Sequence, residues 1–407
     1  MLQDNDGPSN HEGGHHQPAV EVLLAFLRLG LISFGGPIAH IGYFREEFVA
    51  RRRWIDDATF TDLVALCQFL PGPASSQVAF SIGLTRAGYL GGLAAWAGFT
   101  LPSAIALVLF AFGAHLLTGA IGAGLLHGLK LVAVAIVAQA VLGMARTLCP
   151  DLRRATIAVL AMLAILYSSS TIAQMSVLAM GAAAGLLFCR APEGVSKGCI
   201  RVGVSRRAGL ASLTIFFVLL VVLPLWISLG APSWIALLDA FYWPGALVFG
   251  GGHVVLPLLR EAFVAPGWVS DGAFLAGYGA AQAVPGPLFT FAAYLGTVAT
   301  PNLGLLGAVL GLVGIFLPGM LVLVGVLPFW STLRARADAR GAIRGVNAAV
   351  VGLLAAALYS PVGTSSIQTK ADFAVALIGF ALTLMRIAPL LVVLLGALSG
   401  IALTQLR

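Results

Sequence analysis

Leu66-Cys67-Gln68-Phe69-Leu70-Pro71-Gly72-Pro73-Ala74-Ser75-Ser76-Gln77 lies inside an apolar stretch long enough to enter a bilayer. Two prolines around a glycine must break a helix there, because proline lacks the backbone donor and clashes with the preceding turn. In hydrocarbon the freed backbone groups need partners. Such a break is tolerated only where it is buried in protein or lines a cavity. The pattern occurs twice, since Ala281-Gln282-Ala283-Val284-Pro285-Gly286-Pro287-Leu288 repeats glutamine and PGP at the same spacing. A matched pair of interrupted segments, one per half, is how secondary transporters build their binding sites.

The rest of the chain is consistent with a membrane setting. Its 407 residues are 59% hydrophobic and only 10% charged, against about 25% charged in soluble domains, and its mean hydropathy is +0.98. The net charge of +7 does not indicate nucleic acid, because no basic stripe is interleaved with aromatics. Cys67, Cys149, Cys189 and Cys199 form no CxxC or metal-ligand spacing and read as packing residues. Residues 1–18 form a polar tail with three histidines, expected to be disordered.

Apolar segments run near 20–42, 59–82, 88–117, 122–147, 155–168 and 171–189. A basic linker, Arg190 to Arg207, and a segment at about 210–230 follow. Six more lie near 235–257, 273–297, 303–328, 342–359, 371–384 and 387–404. The two at 155–168 and 371–384 are shorter than the ~20 residues of a full span.

If all thirteen cross and the N-terminus is cytoplasmic, fifteen lysines and arginines face the cytoplasm and six face outward. That bias favours N-in and C-out. The cluster Arg51-Arg52-Arg53 breaks the rule. It reads as a solvated interfacial patch or as an anion-concentrating vestibule.

The two halves repeat each other. Phe34-Gly35-Gly36, Arg45-Glu46 and Phe48 recur as Phe249-Gly250-Gly251, Arg260-Glu261 and Phe263, at an offset of 215. At an offset of 214, Trp54, Asp57, Phe60, Gln68 and Pro71–Pro73 recur as Trp268, Asp271, Phe274, Gln282 and Pro285–Pro287. Six segments per repeat with one between them send the second repeat in from the opposite face. The expected fold is therefore an all-α polytopic membrane protein, arranged 6+1+6 as an inverted repeat with helices broken at both PGP motifs. Its parts are the tail 1–18, a first repeat 19–189, a linker with connecting helix 190–234 and a second repeat 235–407.

FGGP followed by RE, then W-x-x-D, then Q-x-x-PGP, with a second half reading FGGGH, RE and PGP, resembles the chromate ion transporter family in its long, two-half form. The resemblance implies export of chromate across the bacterial inner membrane and chromate resistance, with sulfate as the chemical analogue. A homodimer is a candidate assembly. Gly252-His253 stands where the first half has Pro37-Ile38, so the halves are not equivalent.

A tetrahedral dianion asks for hydrogen-bond donors and positive potential. Helix N-termini offer both, and Pro73 is suited to begin a half-helix whose amides at Ala74, Ser75 and Ser76 face a ligand. The candidate binding set is Gly35, Gly36, Pro37, Gln68, Pro71, Gly72, Pro73, Ser75 and Ser76, with Gly250, Gly251, His253, Gln282, Pro285, Gly286 and Pro287 from the second half. The plainer reading is that each PGP is only a turn or kink. Gln68 and Gln282 either touch the substrate or cap freed carbonyls. Arg28 and Lys130 lie within apolar segments, as counter-charges for the anion or as paired and snorkelling residues. His40 reads as polar packing. The glycines at 88, 91, 92, 181, 185, 304, 307, 311 and 314 read as close helix packing.

No nucleotide-binding loop, zinc spacing or catalytic constellation is present in the sequence, so neither an enzyme nor a cofactor is expected. A channel for small anions, or a carrier for other oxyanions, is the alternative to a chromate carrier. With no obvious intramembrane carboxylate relay, export driven by the membrane potential is expected over obligatory proton exchange.

Overall fold

The computed structural model describes residues 16–34, 36–114, 119–168, 170–189, 203–249, 254–385 and 387–405, and every regular element among them is helical. The first half holds α1 (His16–Ile32), α2 (Gly36–Phe44), α3 (Asp57–Phe69), α4 (Ala74–Ala114), α5 (Gly119–Leu148), α6 (Leu152–Tyr167) and α7 (Thr171–Phe188). The connecting helix is α8 (Arg206–Ser228). The second half holds α9 (Ser233–Leu247), α10 (Val255–Phe263), α11 (Asp271–Ala283), α12 (Phe291–Ala299), α13 (Leu305–Val326), α14 (Trp330–Ala335), α15 (Ala337–Ala357), the single turn α16 (Thr364–Ser366), α17 (Lys370–Leu384) and α18 (Pro389–Gln405).

The 41 residues of α4 are not one rod. Ala87 (φ −144°, ψ 30°) and Gly88 (φ 63°, ψ −157°) interrupt it. Residues eight apart in a straight helix are ~12 Å apart, yet a Cβ on Gly83 would strike the carbonyl of Gly91. The chain therefore turns back at Gly88, leaving a short arm, 74–86, against a long arm, 89–114. The second half makes the same hairpin from α12 and α13. There Gly304 turns at φ 51°, and a Cβ on Gly296 would strike Gly307. Gly88 and Gly304 are thus turn glycines with open space around them, not the packing glycines expected from sequence. Gly91, Gly92, Gly181, Gly185, Gly307, Gly311 and Gly314 do make close approaches.

Among the described residues, five helical stretches are long and apolar enough to cross a membrane: Ala74–Gly113, through its long arm after Gly88, Gly119–Leu148, Arg206–Ser228, Leu305–Leu333 and Asp338–Ser366. Apolar segments 20–42 and 59–82 do not cross as single spans. Segment 20–42 runs in along α1 and comes back along α2, because Arg52 Nη1 reaches Glu21 Oε1 at 3.4 Å. Segment 59–82 does the same along α3 and the short arm of α4. Arg45 at the near end pairs with Asp57 at 2.8 Å, and the guanidiniums of Arg52 and Arg86 each lie 5.2 Å from the Trp54 ring.

Trp54 is held between those two cations, and Glu21 and Glu47 complete the network. Arg51 also pairs with Glu47 at 3.1 Å. Arg51 and Arg52 are therefore engaged in ion pairs, and they share a face with Arg86. Sorting them to opposite sides fails because the intervening segments return.

The repeat extends to side-chain geometry. Phe26 stacks on Phe48 at 4.6 Å, and Phe241 meets Phe263 at 4.5 Å. Asp56 caps α3 through Thr59, and Ser270 caps α11 through Ala273. Those Thr59 hydrogen bonds hold the Asp56 carboxyl below its usual range. Arg260 pairs with Asp271 at 2.9 Å where Arg45 pairs with Asp57. Both ion pairs pin the loop that leads into a broken helix. Their surroundings differ: side-chain exposures are 63% and 55% for Arg45 and Asp57, but 26% and 27% for Arg260 and Asp271. Exposed pairs contribute little. Arg260→Ala is therefore expected to lower the unfolding temperature of the detergent-solubilised protein, whereas Arg45→Ala leaves it nearly unchanged.

Candidate functional site

Each PGP ends one helix and starts the next. α3 stops as Leu70 turns extended (ψ 155°), and α4 begins at Ala74. α11 stops as Val284 turns extended (ψ 147°), and a 3-10 turn at Leu288–Thr290 leads into α12. The central glycines carry the reversal, with φ 115° at Gly72 and φ 100° at Gly286. In this region a side chain is strained and glycine is not.

The two breaks dock crosswise. The amide of Gly72 donates to the carbonyl of Val248 at 2.7 Å, and the amide of Gly286 donates to the carbonyl of Ser33 at 2.9 Å. Ser33 and Val248 are equivalent residues of the two repeats, each one residue before its Phe-Gly-Gly. So each half's PGP rests on the other half's chain just before its Phe-Gly-Gly. Gly72 lies against Gly319, where a Cβ would come within 2.8 Å of the Gly319 Cα. Gly286 lies against Ser103, where a Cβ would come within 2.9 Å of Oγ. Gly319 and Ser103 follow the matched prolines Pro318 and Pro102.

The docks form one layer. Trp96 meets Phe316 edge-on at 5.7 Å, and Phe316 meets Phe289 at 5.9 Å. Phe316 is three residues from Gly319, Trp96 three from Phe99, and Phe289 three from Gly286. Phe99 also packs edge-on against His40 at 5.1 Å, and the His40 Nε2 lies 3.2 Å from the Ser33 carbonyl. His40 is buried there, and its Nδ1 has no hydrogen-bond partner among the described residues.

Several buried polar atoms in and around this layer have no hydrogen-bond partner among the described residues: Ser33 Oγ, Ser76 Oγ, Gln77 Oε1, Trp96 Nε1, Thr100 Oγ1 and Gln282 Nε2. Ser76 and Gln77 are fully buried. Buried polar groups are nearly always bonded, and a concentration of exceptions marks a functional region. Most of these groups can donate, and none is charged.

Of the sequence candidates, Gly36, Pro37, Pro71, Gly72, Pro73, Ser75, Ser76, Pro285, Gly286 and Pro287 lie at or beside the docks, and Gln282 ends α11 just before its break. Gly35, Gly250, Gly251 and His253 lie outside the described residues. Gln68 is exposed on α3. The capping role belongs to Gln77 instead, whose Nε2 donates to the carbonyls of Pro71 and Gly319, both at 2.8 Å. Thr290, the counterpart hydroxyl in the second half, bonds the Pro287 carbonyl at 2.8 Å.

Arg28 is exposed on α1, and Glu21 bonds Arg52 and Arg86 rather than Arg28. Lys130 of α5 sits over the start of α11, its Nζ beside Gly272. Trp96, Ser33 and Thr100 escaped sequence reading. They lie on continuous helix or just before a motif, with nothing local to single them out.

The family model for chromate transporters matches residues 20–186 and again 235–401, one copy per repeat. The chain belongs to the chromate transporter family. Family members include a chromate transport protein of Pseudomonas aeruginosa, 30% identical over 342 residues, which are 83% of this chain and 79% of that one. A chromate transport protein of Cupriavidus metallidurans is 26% identical over 83% of this chain and 81% of its own length. An uncharacterized transporter of Methanocaldococcus jannaschii is 25% identical over 96% of this chain and 95% of its own. No solved structure matches the chain. As a member of this family with several long apolar helices, the chain is a multi-pass membrane transport protein.

Proposed function

We propose that this protein is a secondary transporter that carries chromate out of the bacterial cytoplasm across the inner membrane, with sulfate as a competing analogue. The observation that carries the reading is the crosswise docking of two broken helices inside a layer of buried, unpartnered donors. Neutral donors and helix N-termini bind a dianion without the irreversible grip of several fixed cations. The relatives named for chromate transport support the choice of anion.

The two repeats are inverted in this reading. The short arm of α4 leads from its dock to Arg86, on the face of Glu21 and Trp54. α12 leads from the other dock towards the far end of α4, as the 5.7 Å Phe110–Tyr294 contact supports. The face of Glu21, Arg52 and Arg86 also receives Trp330, which reaches Asp62 at 3.4 Å. Arg336 and Arg344 follow Trp330 at the start of α15. Arg344 and Arg153 reach the carbonyls of Cys189 and Phe188 on that same side. The opposite face has Arg260 and Lys370. Positive residues mark the cytoplasmic side, so the start of α1 is cytoplasmic. α18 runs antiparallel to α5, with Gly400 against Gly124, and so ends outside.

A membrane potential of 100 mV contributes roughly 4.6 kcal/mol to a dianion leaving a negative interior, so export is electrically downhill.

Chromate exchange by purified protein in liposomes tests the proposal. Trans-stimulation of chromate flux by sulfate is expected for a carrier, and its absence would indicate a pore. Trp96→Phe keeps an aromatic ring at this position and removes the donor with the pyrrole half of the indole. It is expected to weaken apparent chromate affinity by about tenfold with little change in maximal rate. An unchanged affinity would remove Trp96 from the site.

A further inference from the structure

A cavity of 570 Å³ opens where α7, α8, α9 and α10 meet. It extends along α9 to Leu247, the neighbour of the Val248 carbonyl that holds Gly72. Its walls are mainly apolar and aromatic, but Asp239 and Glu261 line it, and among the described residues no lysine, arginine or histidine does. An acid-lined passage repels a dianion and admits a cation.

Asp239 lies mid-helix in α9, and its Oδ1 is buried with no hydrogen-bond partner among the described residues. An ionised carboxylate is costly in such surroundings, and binding a proton removes the charge. From the elements packed around it, the ionisable groups are few. Glu261 of α10 shares the cavity. Arg260 is bound to Asp271. The Tyr242 hydroxyl donates to the Phe216 carbonyl at 3.0 Å. α7 and α13 have no ionisable side chain, and α8 has only Arg206 and Arg207, at its start. The equivalent of Asp239 in the first repeat is Leu24, so the fold does not demand an acid there. A metal ion needs a shell of oxygens, whereas a proton needs one.

We infer that Asp239 is a proton-binding site that couples proton entry through this cavity to anion movement at the neighbouring docks. The inference rests on the transporter reading above. A proton from water at the mouth, beside Glu261 and Trp268, adds to the Asp239 carboxylate. It returns to water on the other side when the docks rearrange.

The test uses the full chain in liposomes, with the potential clamped at zero by valinomycin and equal potassium. For the wild type, a pH gradient is expected to raise chromate flux at least about fivefold over equal pH. Asp239→Asn should lose that response while keeping chromate exchange at equal pH, and Asp239→Glu should retain it. Three outcomes overturn the inference: a wild type that ignores the pH gradient, one that follows a sodium gradient instead, or an Asp239→Asn variant that still responds. Absence of any chromate exchange by the wild type, with or without a gradient, overturns the anion-site reading and this inference with it.

Discussion

Gly72→Val and Gly286→Val are each expected to cut chromate transport to less than about a tenth of wild type at matched expression, from strain of about 1–3 kcal/mol at the backbone and a similar cost of overpacking. Both glycines sit at a φ that valine resists, 115° and 100°. Both face groups that cannot retreat cheaply. At Gly72 the obstacle is the Gly319 backbone, and at Gly286 it is Ser103 Oγ with the Phe99 carbonyl 3.2 Å away. Either substitution also strains the dock on the opposite half. The comparison variant is Gly143→Ala, because Gly143 has an ordinary helical backbone and nothing within 4 Å of an added Cβ. Gly88 would be a poor control, since its φ of 63° is itself a turn requirement. Wild-type flux in Gly72→Val or Gly286→Val, measured by chromate exchange in liposomes, would show that the breaks are only turns.

The second large effect is expected at Gln77. Its amide nitrogen serves two buried carbonyls, those of Pro71 and Gly319, at 2.8 Å each. Gln77→Leu has nearly the same size but leaves the Pro71 carbonyl without this donor and cuts the tie to Gly319, whose carbonyl keeps its helical partner within α13. A buried unsatisfied group costs about 1–3 kcal/mol, so a loss of that order is expected, a sizeable share of the ~5–15 kcal/mol that holds a typical domain. Gln68→Leu, on an exposed position of α3, should change stability by no more than about 0.5 kcal/mol. Thermal unfolding in detergent with both variants reads the difference directly. Similar unfolding temperatures would remove Gln77 from the role of cap.

Much of this organisation was legible in the amino-acid order. Pro71-Gly72-Pro73 and Pro285-Gly286-Pro287 marked the breaks because proline and glycine act on their own backbone, whatever surrounds them. The repeat was legible for a similar reason: Phe26 and Phe48 stack as Phe241 and Phe263 do because both copies keep the residues that make the contact.

What sequence could not supply was direction. An apolar segment that enters and returns has the same composition as one that crosses. The bonds of Arg52 and Arg86 to Glu21 reveal that residues 20–42 and 59–82 come back. The glutamines had a similar ambiguity. Gln68 and Gln77 flank the same motif, and only the fold decides which one turns inward. Asp239 was not singled out in sequence, because what sets it apart is the cavity beside it.

The crosswise amides of Gly72 and Gly286 bear on how such a protein is made. Each half holds the acceptor for the other's central amide, so one half synthesised alone would leave a buried donor without its match, in lipid, where water cannot substitute. Two separate polypeptides, one for each half, should assemble into an active whole when produced together in one cell, and neither should be stable alone.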